Sequence, residues 1–348
     1  MLNLPPILVT PAAWKGPEIK SKPELWIWEL ESDDVSELTT ATQQFFQSGE
    51  PLEKISKSNF HLPRLEKKLA EIKNDLIDGT GFKLIRGLDS CRFSRQEITT
   101  LFMGLGSHLG SPRSQNAAGH LLGHVRNVGA DVNDTHTRIY QTNERQTFHT
   151  DSSDIVALIC LQTAQAGGES MLVSAETIYN EMLKLRPDLV ELLFEPVATD
   201  KRGEIEPGKK PYFSIPVFSW YEEKLSVIYQ RQYIDSAQRF EGVPTLSPPY
   251  IEALDLFDQL ANDKDLNISM QLQPGDMQFV HNHNMLHDRG SFIDWPDSDK
   301  RRHLLRLWLS APDDRPLPPV FSERFGTTEI GNRGGIIVEN TRLQVPLD

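Results

Sequence analysis

The chain has 348 residues, 38% of them apolar and 24% charged, with a formal net charge of −13. A chain of this size and composition buries a substantial core as one large unit with additions, and is neither disordered nor collagen-like. The acidic balance argues against a nucleic-acid partner, since such binding rests on a Lys/Arg face, and no apolar run reaches the roughly 18 to 20 residues of a membrane span.

The N-terminal text MLNLPPILVTPAAWKG has two prolines inside its apolar run and no basic region, so a cytoplasmic protein with a small-molecule partner is expected, with a homo-oligomer left open. Cys91 and Cys160 are the only thiols. They are too few for a disulfide framework, and both are expected to be structural.

In chain order, SDDVSELTTATQQFFQS reads as a helix capped by Ser32 or Asp33. In RLEKKLAEIKNDLIDGTG, Leu65, Leu69, Ile72 and Leu76 recur at helical spacing, with Gly79 as a stop. GFKLIRGL follows as a short strand, and SRQEITTLFMGLGSHLG as a helix capped by Ser94 and closed by Gly110. From there to about residue 147 the Gly-, Asn-, His- and Thr-rich text reads as loops and short strands, the kind of long irregular stretch that often carries function.

Beyond residue 150, SDIVALICLQ and MLVS read as strands around the turn AGGES. The helical text AETIYNEMLKLRPDLVELLF interrupts, and PYFSIPVFSW and KLSVIYQ return to strand composition. PYIEALDLFDQLAND is an amphipathic helix with Ile251, Leu254, Phe257 and Ala261 on one face, and ISMQL, MQFVHNH and RHLLRLWLS are strands. The Pro- and Gly-rich tail from Ala311 is expected to wrap the surface. Short strands interrupted by helices, with no alternation of a parallel kind, predict a mainly β protein with helical decoration (α+β), built as an antiparallel sandwich.

FHTD places His149 and Asp151 two residues apart. On a strand, residues i and i+2 share a face, so the two could reach one metal. A 2-His-1-carboxylate triad needs one more imidazole and leaves positions open for chemistry. VHNHNMLHDRGSF offers His281, His283 and His287, of which the first two are themselves an i, i+2 pair. Arg302 and Arg306 share a face with Leu304 on the last strand, each a fork able to grip a carboxylate.

With these pieces in place the sequence resembles the Fe(II)/2-oxoglutarate-dependent dioxygenases of the taurine dioxygenase (TauD/TfdA-like) family. The matching segments are FHTD, AGGES, PGDMQFVHNHNMLHDR and KRRHLLRLWL, in family order. The resemblance implies a double-stranded β-helix (jelly roll) of the clavaminate synthase-like kind. It divides the chain into a mostly helical extension over 1–75, a catalytic domain over 76–310 with helical insertions near 175–193 and 249–263, and a wrapping tail over 311–348, all one structural unit. It further implies that His149, Asp151 and His287 ligate iron. Arg302 would hold the distal carboxylate of 2-oxoglutarate, helped by Ser170 where the family pattern has Thr, and Arg306 would meet cosubstrate or substrate.

The implied reaction consumes O2 and 2-oxoglutarate, releases succinate and CO2, and oxidises a C–H bond of a small metabolite, an anionic one among the candidates. Because Asp151 is kept, hydroxylation or desaturation is expected and chlorination is not. His281, His283, Asn282 and Asn284 are read as structural groups or supports of the ligands. His120, His124 and Arg126, and the aromatic residues Phe213 and Trp220, are read either as pocket walls or as ordinary surface and core. Two other readings stay open: a non-catalytic jelly-roll binding protein, and a cupin-like metalloenzyme that uses His281 and His283 without 2-oxoglutarate.

Overall fold

The computed structural model describes residues 4–131, 137–205, 208–338 and 340–348, and counts and absences below are of these residues. Two sheets face each other. The larger runs in the order Ile27–Glu29, Phe82–Arg86, Met277–His281, Ile155–Gln162, His303–Ser310 and Ser111–Arg113, with Leu122–Val125 also paired to His303–Ser310. The smaller runs Asn267–Met270, Ser170–Ser174, Met285–Arg289 and Gln146–His149. Pairing is antiparallel throughout these sheets except between Ile27–Glu29 and Phe82–Arg86, a parallel pair that the sequence pattern did not signal.

The last long strand shows why these sequences make a layered fold. All eight residues of HLLRLWLS are buried, because both faces of the sheet are covered. Leu305, Leu307 and Leu309 pack outward against the helices Ser32–Ser48, Glu66–Ile77 and Arg95–Ser107, whereas Leu304 and Trp308 point into the space between the sheets, with Phe82, Val156, Leu172 and Met285. Behind the smaller sheet, Phe148, Val173 and Leu286 pack on the helices Ala175–Leu185, Pro187–Leu192 and Pro248–Ala261. Period-2 alternation thus sorts one strand's side chains between an outer helical layer and the inter-sheet core.

Several details depart from the sequence reading. The first long helix spans Ser32–Ser48 as expected, but its cap is Glu31, in a reciprocal box with Asp34, not Ser32 or Asp33. The helix Glu66–Ile77 ends at Asp78, ahead of Gly79, and Arg95–Ser107 ends at His108, ahead of Gly110; Ser94 caps the latter as expected. On Pro248–Ala261, Leu254, Phe257 and Ala261 are buried but Ile251 faces solvent; Tyr250 and Ala253 complete the inner face instead. Cys160 lies in the core, and burial pushes its thiol up to about 12. Cys91 is exposed and so has no packing role in the core.

The tail does more than wrap the surface. Ala311, Phe321, Phe325 and Ile336 are buried, and Arg333 is fully buried. Its Nε donates to Asp154 at 2.7 Å and its Nη2 to Asp314 at 3.1 Å. The same two carboxylates pair with His283 (2.8 Å) and His281 (2.9 Å), so one guanidinium supplies the counter-charge for a buried cluster. Burial lowers His283 to about 4, and although burial opposes it, His281, His283 and Arg333 hold Asp314 well below the usual carboxylate range.

Removing one member of such a cluster leaves charges buried without partners, a loss of about 3–5 kcal/mol. Arg333→Leu is expected to lower unfolding free energy by about that amount in urea titrations; a loss under about 1 kcal/mol would show that the cluster is not what anchors the tail.

Candidate metal centre and its two pockets

The chain crosses between the sheets at two neighbouring corners. After Gln146–His149 it leaves the smaller sheet, passes Asp151, and enters the larger at Ile155. After Met277–His281 it leaves the larger sheet and re-enters the smaller at Met285. His149 and His287 are direct antiparallel partners in the smaller sheet, and their rings lie 4.1 Å apart between centroids. Asp151 sits beyond the strand end, so its approach to His149 is set by the corner and not by a shared strand face as the sequence implied. Its Oδ2 is 3.7 Å from His287 Nε2, and one ligand atom from each of the three residues lies within 4.8 Å of the others.

The protonation states suit a cation. His149 Nδ1 donates to Thr147 O at 2.8 Å, which leaves Nε2 as the acceptor facing the cluster, where Gln146 Nε2 now donates to it at 2.8 Å. Burial lowers both histidines, His287 to about 3, so each is neutral with a lone pair to offer at ordinary pH. Burial alone would raise the Asp151 carboxyl, but Arg306 first, then His287 and His149, outweigh it and hold the group at about 2. Two neutral imidazoles and one ionised carboxylate on one side form a donor set suited to Fe(II), with the remaining positions open.

Asp151 is held on several sides. Trp308 Nε1 donates to its Oδ2 at 2.8 Å, Arg306 Nη1 lies 3.3 Å from the same oxygen, and its backbone N–H donates to Asn282 Oδ1 at 3.0 Å. His281 and His283 lie away from the triad, on Asp314 and Asp154. They form a second close group with Asp314, but Arg333 already meets that carboxylate.

One pocket opens on the side of His287. It is lined by Ser170, Arg302, Arg289, Leu158, Leu272 and Leu304, among others. Arg302 is 6% exposed and its Nη1 is buried with no hydrogen-bond partner; among the described residues it makes no ion pair. Gly168, at φ +75°, lets it in: a Cβ there would lie 2.9 Å from Arg302 Nε. Ser170 Oγ donates to Gln278 Oε1 at 2.9 Å, and Ser170 is the cross-strand partner of Arg289. Burial lowers Arg302 to about 10, and burial together with neighbouring Arg302 lowers Arg289 to about 9. Asp288 also lines the pocket but is paired with Arg145 at 2.6 Å, so the two guanidinium groups make this an anion pocket. Arg289 was missed in the sequence, although HDR places it two residues after His287 and hence on the same strand face.

A second pocket lies on the side of Asp151, lined by Arg138, Thr199, Phe213, Tyr233, Trp308 and Arg324 among others; Tyr140, Gln146, His149 and Arg306 line both pockets. Phe213 is a wall as the sequence allowed. Trp220 is not, being 37% exposed on an edge hairpin. His120, His124 and Arg126 line neither pocket; His124 instead pairs with His303 (2.8 Å) and Pro346 O (3.0 Å).

Residues 48–308 match the family described as taurine catabolism dioxygenase TauD, TfdA family. The chain is 32% identical over 317 residues to FR-33289 synthase of Streptomyces rubellomurinus, covering 89% of this chain and 92% of that protein. It is 31% identical over 305 residues to the taurine hydroxylase-like protein SAT17 of Stachybotrys chartarum, covering 85% and 77%. In fold it is similar to asparagine oxygenase, solved with Fe(II), 3-hydroxyasparagine and succinate (TM-score 0.64, 15% identity, 82% of this chain and 93% of that one). It is likewise similar to the non-heme iron oxygenase OrfP, solved with Fe and alpha-ketoglutaric acid (TM-score 0.61, 18% identity, 81% and 93%). A jelly roll whose facing corners bring together two imidazoles and a carboxylate, between an anion pocket and a second cleft, thus belongs to the TauD/TfdA family of Fe(II)- and 2-oxoglutarate-dependent dioxygenases.

Proposed function

We propose that His149, Asp151 and His287 hold the iron, and that the pocket of Arg302, Ser170 and Arg289 takes 2-oxoglutarate. The observation that carries this is the unpartnered, buried Arg302 Nη1 in a pocket that adjoins the triad through His149 and His287. With iron, 2-oxoglutarate and O2 bound, the centre converts a C–H bond of a small metabolite to C–OH while 2-oxoglutarate becomes succinate and CO2.

The chain's own residues prepare that chemistry. Trp308 and Arg306 fix which Asp151 oxygen faces inward. Thr147 O fixes the His149 tautomer, and Nε2, which Gln146 now meets, would be the atom offered to a metal. Arg302 and Arg289 draw a dicarboxylate into a pocket whose apolar walls include Val125, Val156, Leu158, Leu272 and Leu304, where a buried charge-assisted bond is strong. Arg306, bonded to Gln115 Oε1 at 2.7 Å and to Asp151, acts from between the two pockets as an orienting group.

The binding-protein reading gives no reason for a triad open toward an adjoining anion pocket, and the cupin-like reading places the metal where Arg333 already stands. A reducing, cytoplasmic setting suits two free thiols, one of them exposed. No helix among the described residues is long and apolar enough to cross a membrane.

Two outcomes are expected. Arg302→Ala should raise the 2-oxoglutarate dissociation constant by roughly 30-fold or more in anaerobic calorimetry of the Fe(II) protein, the effect of truncating a buried charged partner; unchanged affinity would remove Arg302 from the cosubstrate site. Trp308→Phe keeps most of the core volume but deletes the bond to Asp151, and should weaken Fe(II) binding by roughly tenfold or more in a chelator competition. Metal affinity within a factor of about two of wild type would mean that Trp308 only packs.

A further inference from the structure

The second pocket carries a charge that the iron and cosubstrate do not use. Arg306, the arginine nearest the metal, is occupied: it is 5% exposed, bonded to Gln115 and Asp151, and stacked over Tyr140 (4.7 Å) and Trp308 (5.0 Å). Arg138, in the same pocket, is paired with Glu204 at 2.9 Å. Asp200 is paired with Arg239 at 2.6 Å. Arg324 differs. It comes from the tail, past the segment that matches the family, and among the described residues it makes no ion pair.

What Arg324 does touch fixes where it points. Its Nε donates to Ser152 Oγ at 2.7 Å, one residue after the iron ligand Asp151, and its guanidinium lies 5.7 Å from the Phe213 ring centroid. Burial first and Arg138 next lower it to about 10, against the opposing pull of Tyr233, Glu204 and Asp151. Tyr233, in turn, is acted on by Arg138, Arg202 and Arg324 together. Arg324 also lines an adjoining groove whose charged lining among the described residues includes Lys201, Lys209, Lys210, Glu204 and Glu323. A guanidinium thus stands beside the metal ligands, in one pocket with a phenol and a second guanidinium.

We propose that Arg324, with Tyr233 beside it, grips an oxyanion of the substrate, a carboxylate, sulfonate or phosphoryl group, and so selects short anionic metabolites. This rests on the reading that the other pocket holds 2-oxoglutarate. Because Ser152 ties Arg324 to the corner that carries Asp151, the anion sits close to the metal, and the carbon to be oxidised lies only a few bonds from it. In this chain the task of reading the substrate's charge falls to the tail, while Arg306 serves the metal ligand.

The test uses the full chain loaded with Fe(II) under anaerobic conditions. 2-Oxoglutarate is titrated first, which checks the underlying reading independently. Butyrate, propanesulfonate and propylphosphonate are then titrated into the 2-oxoglutarate complex by calorimetry, with butyramide as the neutral match. At least one anion should bind, butyramide should not, and Arg324→Gln should weaken the anion by roughly tenfold or more. Arg324→Lys, which keeps the charge, should recover part of that loss and so separates recognition from folding. The ranking of the three anions identifies the head group. If 2-oxoglutarate binds normally but none of the anions does, or if they bind wild type and Arg324→Gln alike, the proposal is overturned. If 2-oxoglutarate fails to bind while an anion binds through Arg324, the cosubstrate reading falls and the anion site stands.

Discussion

Asn282 ties together the two corners on which the site depends. Its Oδ1 accepts from the Asp151 N–H at 3.0 Å and its Nδ2 donates to Ser153 O at 2.9 Å, so the chain leaving the larger sheet is clamped to the chain entering it. Asp154, one residue beyond Ser153, carries the clamp further into the Arg333 cluster, and Gly335 N–H donates to Ser152 O at 2.7 Å. The corner is therefore fixed by bonds from two distant parts of the sequence, the turn at Asn282 and the tail at Arg333 and Gly335. The imidazole pair next to it is fixed by strand register. Ligand geometry in this chain follows from sheet pairing plus one amide side chain, which is a stiffer arrangement than a loop could supply.

Charge organises what surrounds that corner. Five guanidinium groups, those of Arg138, Arg289, Arg302, Arg306 and Arg324, line the two pockets. A buried cation without an acid partner is costly unless an anion arrives. Arg306 has its carboxylate in Asp151, whereas Arg302 and Arg324 have none among the described residues. These two line different pockets beside the triad, Arg302 the one that includes His287 and Arg324 the one that includes Asp151, and that division is what supports the proposed separation of cosubstrate from substrate. The overall charge of −13 does not conflict with this, because the acidic residues are mostly at the surface and the local field at the site is set by the arginines.

That His149, Asp151 and His287 come together, with Arg302 in the adjoining pocket, was legible through the family resemblance of the short motifs that hold them, whereas spacing alone left three histidines open and put Asp151 on a strand that ends before it. Strands such as Ile155–Gln162 and His303–Ser310 were legible from apolar runs, and helices from their period. Arg324 and Arg333 were not. They lie in Pro- and Gly-rich text without periodicity, and only the tertiary path of the tail brings one beside Ser152 and the other against Asp154. The parallel strand Ile27–Glu29 was hidden for a related reason: three residues are too few for alternation to register. Ile251 was misplaced because a helical face drawn from apolar residues alone ignores Tyr250, which packs with its hydroxyl toward Glu195 O.

The most direct test is a crystal structure of the full chain grown anaerobically with Fe(II) and 2-oxoglutarate. The account predicts one iron on His149 Nε2, the Asp151 carboxylate and His287, with Gln146 displaced. The far carboxylate of 2-oxoglutarate would lie on Arg302, and the Arg324 pocket would remain open beside it. Iron held by His281 and His283, or 2-oxoglutarate lodged against Arg324, would contradict it.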